Sequence, residues 1–163
     1  MSPDERADPL PGTFEAALKA LDAFRASPLS ARQALFAAVM IDRIADAAFA
    51  APRECRDRMV GISTDLRAFR VALRAAGTDL APVMDLAAGH IDGPRLQVQE
   101  RSVAEDEFTR LSVAELMVSL YGGGCVPCLM LVYADGRKMP ALDVLQAALD
   151  WWRPPPAQAR MAG

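Results

Sequence analysis

The chain has 163 residues, 52% of them apolar and 24% charged, which predicts one domain with a real core and excludes a wholly disordered chain. Its net charge of −3 sets 21 acidic residues against 16 Arg and 2 Lys, without the positive excess of a nucleic-acid-binding domain. Alanine fills 31 positions, 20 of them within the first 81 residues, favouring helices packed through small side chains.

In chain order, residues 1–12 read as a disordered tail, polar and acidic, without the basic start and apolar run of a secretory signal. Thr13 is predicted to cap a helix with Phe14, Ala17, Leu18, Leu21 and Phe24 on one face, ended by Ser27-Pro28. Ser30 and Gln33 form a capping-box pattern opening a second helix through Ala51, with Leu35, Val39, Met40, Ile44 and Ala47 inward. Its stretch Ala34–Ala51 is the most membrane-like in the chain, but Asp42, Arg43 and Asp46 interrupt it and predict a soluble helix. Asp42 and Asp46 share a helical face, fit to hold a cation or simply to stay solvated beside Arg43. A short helix is predicted over Arg53–Val60, broken at Gly61. Thr64 is the expected cap of the next, with Leu66, Phe69 and Leu73 inward and Gly77 as its stop. Between Arg53 and Arg74 six Arg face three acids, and Arg67, Arg70 and Arg74 form a stripe suited to an acidic partner or to a solvated flank.

The second half changes period. Val83–Ala87 and Leu96–Gln99 are predicted strands joined by a hairpin loop over Ala88–Pro94. Glu105-Asp106-Glu107 reads as a solvated linker, and Ser112 with Glu115 as a capping box for a helix ending at Tyr121-Gly122. Leu129–Tyr133 is a continuous apolar run, expected as a central strand. Asp135-Gly136 then turns the chain, and a helix follows over Ala141–Trp152, with Leu142, Leu145, Leu149 and Trp152 inward. Residues 153–163 read as a proline-rich tail. The expected fold is a single α+β domain over 13–152: an alanine-rich helical half, then a small, mainly antiparallel sheet with two flanking helices.

The string Gly122-Gly123-Gly124-Cys125-Val126-Pro127-Cys128 carries the strongest chemical signal. It leaves a helix C-terminus and enters a strand, the wrong polarity for a phosphate loop, and it lacks G-K-[ST]. The C-x-x-C pair admits three readings: two small apolar residues, a redox pair, or half of a zinc site. With Cys55 and His90, Cys125 and Cys128 make the one Cys₃His set the chain can supply. Three cysteines give no disulfide scaffold, and reduced thiols in the cytoplasm are expected.

Val126-Pro127 followed by Cys-Leu-Met-Leu-Val-Tyr-Ala-Asp-Gly is similar to the late part of thioredoxin-like proteins, over residues 95–152 at most. The resemblance implies a cis peptide at Pro127, a central strand, an Asp-Gly turn, a second strand and a final helix. It supplies no active-site pair in the first half of the chain, where the family's catalytic C-x-x-C would lie. The reading from all these features is a cytoplasmic, non-catalytic accessory or adaptor protein that binds another protein or itself, without nucleic acid, membrane or cofactor. Arg67, Arg70, Arg74, Trp151 and Trp152 are its candidate interface residues, one tryptophan inward and the other at the surface. The alternatives are a degenerate thioredoxin-like thiol–disulfide oxidoreductase using Cys125 and Cys128, and a zinc-stabilised binding domain.

Overall fold

Alanine on both sides of a helix pair lets two backbones approach closely, and the architecture starts there. In the computed structural model, which describes residues 9–51, 61 and 63–153, α1 (Pro9–Ala26) and α2 (Ala31–Ala50) form a helical hairpin. Ala17, Ala20, Ala34, Ala37, Ala38, Ala45 and Ala48 are all buried along it. Ser30 caps α2 by accepting from Gln33 N, as its capping pattern predicts. α1 begins at Pro9, upstream of the expected cap Thr13, because both Pro9 and Pro11 fall in a first turn where a missing N–H costs nothing.

Helices α3 (Leu66–Ala76) and α4 (Leu80–Ala88) pack next on α2. Asp65, one residue beyond the expected Thr64, caps α3 by accepting from Ala68 N at 2.8 Å. Phe69 and Leu73 point inward as expected, whereas Leu66 is exposed. The predicted strand Val83–Ala87 is a correction: it lies inside α4, and with it goes the hairpin loop expected after it. Leu80, Val83, Met84 and Leu86 are buried, Pro82 sits in the first turn, and Gly89 closes the helix in the left-handed conformation at φ 64°. The helix predicted over Arg53–Val60 lies outside the described residues.

The remainder is a three-stranded antiparallel sheet, β1 (Arg95–Ser102), β2 (Cys125–Val132) and β3 (Lys138–Pro140), in the order β1-β2-β3. β2 is central, as its apolar run predicts, and Leu129 and Leu131 enter the core. A 3₁₀ turn (Glu105–Arg110) and helix α5 (Val113–Tyr121) connect β1 to β2, and α6 (Ala141–Trp151) follows β3. Ser112 and Glu115 form the expected capping box at the start of α5. α6 buries Val144, Leu145, Ala148 and Leu149 and packs on α1, α2, α4 and both β2 and β3, joining the helical half to the sheet. The fold is α+β, helices first and sheet afterwards. No described helix is long and apolar enough to cross a membrane.

Two stability outcomes follow from this packing. Ala38→Leu, which forces a larger side chain into a fully buried position, is expected to cost about 1–3 kcal/mol by urea denaturation. Ser112→Ala is expected to cost about 1 kcal/mol at neutral pH. The Ser112 hydrogen bonds hold the Glu115 carboxyl below its ordinary range, so that stabilisation exists above the unfolded carboxyl pKa and is lost as pH falls through the folded one. The Ser112→Ala penalty therefore shrinks in acid.

Candidate functional site

The glycine run serves as a turn. Gly123 and Gly124 have φ of 68° and 84°, in the left-handed region that side chains disfavour. Gly122 N donates to Val118 O and Gly124 N to Ser119 O, so these N–H groups satisfy the last carbonyls of α5. They are spent within the fold, in keeping with the absence of a phosphate-loop pattern.

Cys125 and Cys128 both lie on β2, three residues apart, and such residues point to opposite faces of a strand. Their surroundings differ accordingly. Cys125 Sγ lies 3.8 Å from Ser102 Oγ, its register partner on β1. Cys128 instead lines a cleft of about 710 Å³ between the end of α1, the start of α5 and the start of α6. Phe24, Leu29, Pro127 and Leu142 give the cleft apolar walls, and Arg101, Glu107, Glu115 and Asp143 supply charge. Arg101 Nη1 donates to Glu107 Oε2 at 2.7 Å. Burial pushes the Cys128 thiol above its ordinary range; Arg101 opposes that shift, and Asp143 and Glu115 add to it. Neither cysteine sits at a helix N-terminus, where a thiolate would be stabilised.

His90 is elsewhere, just beyond α4, with Nε2 4.0 Å from Asp85 Oδ1. Cys55 lies outside the described residues. Among the described residues no three His, Cys, Asp or Glu side chains converge in a way that would hold a metal ion.

Two of the three stripe arginines are engaged within the chain. Arg70 bridges Asp42 at 2.5 Å and Asp46 at 2.8 Å, tying α3 to α2 and using the aspartate pair that the sequence offered to a cation. Arg74 grips both carboxylate oxygens of Asp85 at 2.5 and 3.0 Å. Arg67 shares a shallow cavity of about 470 Å³ with them, over Met84 and Ala88. Trp151 and Trp152 stack edge to face at 4.9 Å, and both are half-buried against the core. Their intimacy with α3 is tight: a Cβ on Gly77 would lie 3.0 Å from Trp151 Nε1.

Sequence reasoning placed α5 but missed its surface. Val113, Met117, Val118, Leu120 and Tyr121 are all exposed, Val113 at 79% and Tyr121 at 86%, and Ser119 alone is buried. The spacing 113, 117, 120, 121 is that of one helical face, a stripe readable from the sequence. An amphipathic helix normally turns such a stripe to the core; here it faces out.

The Val126-Pro127 strand, Asp135-Gly136 turn and final helix occur in the order the thioredoxin-like resemblance implies, but the Pro127 peptide is trans, correcting the cis expectation. The comparisons with known proteins give no match to a family model, a curated protein or a solved structure.

The environment of Cys128 is testable by alkylation. At neutral pH its thiol is expected to react more slowly with iodoacetamide than a free cysteine does. Asp143→Asn is expected to speed the reaction and Arg101→Gln to slow it, each by about two- to threefold, read by mass spectrometry of the labelled peptide.

Proposed function

We propose that the protein is a non-catalytic adaptor of the cytoplasm that binds a partner protein through the outward face of α5. The observation that carries this reading is the apolar arc of Val113, Met117, Leu120 and Tyr121, turned to solvent by a helix whose one buried residue is Ser119. Contiguous exposed apolar surface of this kind marks protein interfaces. α5 carries no Lys or Arg, so it lacks the basic flank by which interfacial helices dock on anionic membranes. The partner surface is accordingly an apolar groove that takes anchors at helical spacing.

The oxidoreductase alternative draws less support. Its two thiols have different neighbours on a strand, and burial pushes the Cys128 thiol up, away from the thiolate a redox pair needs. The zinc alternative needs Cys55, His90, Cys125 and Cys128 together, and His90 lies beside Asp85 just beyond α4.

The test pairs the wild-type chain with a Val113→Asp/Leu120→Asp variant, both positions being exposed enough to leave folding intact. From extracts of cells that make it, the wild type is expected to recover a stoichiometric partner that the variant loses. In that complex the amides of 113–121 should gain protection from hydrogen exchange. Recovery of the same partner by both proteins, or protection elsewhere only, would overturn the assignment.

A further inference from the structure

β1 is an edge strand, and its hydrogen-bonding parity can be read directly. Val103 N donates to Gly124 O at 2.9 Å, and these two residues continue the register that pairs Arg95 with Val132 and Ser102 with Cys125. Hydrogen-bonded pairs recur at every second residue of an antiparallel ladder. Arg95, Gln97, Gln99 and Arg101 therefore bond inward to β2. Leu96, Val98, Glu100 and Ser102 direct their N–H and C=O groups to the outer edge, and no hydrogen bond from another described element reaches those backbones.

Natural edges of this length are usually blunted by a bulge, a proline or a lysine. β1 carries the charges of Arg95, Glu100 and Arg101 but no bulge, proline or lysine: its register with β2 is unbroken, and Val98 is 55% exposed at mid-strand. An open edge is a template for another strand, provided the register keeps those charges apart.

We propose that the outer edge of β1 pairs antiparallel with the same edge of a second copy, about a two-fold axis through Gln99. Parity and charge select this register. The outward residues must pair with outward residues, so the axis passes through a residue of β1 and not between two of them. Centring on Val98 sets Arg95 directly against Arg101 of the second copy, twice, a like-charge opposition. Centring on Glu100 sets that carboxylate against its own copy. Centring on Gln97 brings Pro94, which has no N–H, opposite Glu100 and forfeits part of the ladder. Centring on Gln99 pairs Leu96 with Ser102 and Val98 with Glu100 of the second copy, uses all the outward groups, and opposes no like charges. The two Gln99 side chains then meet in a non-hydrogen-bonded pair, the closer of the two geometries, where amides can bond each other. Two three-stranded sheets become one of six strands. This surface is distinct from α5, so the proposal stands on the same class of function but not on the same residues.

The experiment reads mass by sedimentation and amide exchange by NMR on the full chain across a dilution series. The expected result is twice the 17.5 kDa chain mass at high concentration, with Leu96, Val98, Glu100 and Ser102 amides protected there and exposed on dilution. Gln97, Gln99 and Arg101 amides should stay protected throughout. Val98→Pro removes an outward donor at both symmetry-related positions without touching the ladder to β2, and is expected to weaken dimerisation at least about tenfold. Val98→Thr, which keeps the N–H, should leave it unchanged. A monomer at every concentration overturns the proposal, as does a folded Val98→Pro variant that dimerises like the wild type. Outward amides protected in the dilute monomer would assign the edge to a segment of this same chain, and protection only with another protein would assign it to a foreign strand. Where Val98→Pro fails to fold, the exchange pattern of the wild type decides alone. The Val113→Asp/Leu120→Asp variant should dimerise normally, so failure here and failure of the α5 reading remain separate.

Discussion

The close approach of α1 and α2 is the constraint on which the other contacts depend. Seven alanines of the core cluster line that hairpin, and a side chain ending at Cβ loses no rotamer freedom when it is buried. The tight pairing turns the larger residues Leu21, Phe24, Ile41 and Ile44 towards the later elements, which complete the same core cluster. α2 touches α3, α4 and α6 as well as α1, so these three helices are placed against a surface the hairpin has already defined. Arg70 adds a polar clasp at the margin, where its two aspartates come from successive turns of α2.

At the far end of the molecule the supply of neighbours runs out. α6 covers the sheet and joins it to the helices, but among the described residues α5 packs chiefly on β2, and β1 has β2 on one side only. A helix with one main packing partner buries a narrow stripe and leaves its remaining apolar residues in water. The same scarcity leaves the outward backbone groups of β1 without a described partner. Exposed apolar side chains and an open edge thus have one cause: a three-stranded sheet is too small to enclose both its margins.

The cysteine pair shows how the meaning of a motif depends on the element that carries it. At i,i+3 on a helix, two thiols share a face; on a strand they look to opposite sides. β2 separates them into a contact with Ser102 and a place in the cleft. The cleft brings Arg101, Asp143 and Glu115 together from β1, α6 and α5, residues far apart in the chain whose effects on Cys128 oppose one another.

Local chemistry was legible in the sequence by itself: the caps at Ser30 and Ser112, the glycine stops at Gly77 and Gly122, the Asp135-Gly136 turn, and the change from helical to strand periodicity. These signals need only neighbours within a few residues, which is why they determined the α+β class and the order of most elements. They failed at Val83–Ala87, because a short apolar run suits a strand or a buried helix equally and burial against α2 decided for the helix. They gave direction only in part. Periodicity turns Phe69 and Leu73 of α3 inward as observed, but only tertiary packing left Leu66 and the α5 stripe ending at Tyr121 in solvent, engaged Arg70 and Arg74 with aspartates, and left one edge of β1 open. A side chain's pattern is written along the chain; what it faces is set by elements distant in sequence, and the supply of those elements was known only once the chain was folded.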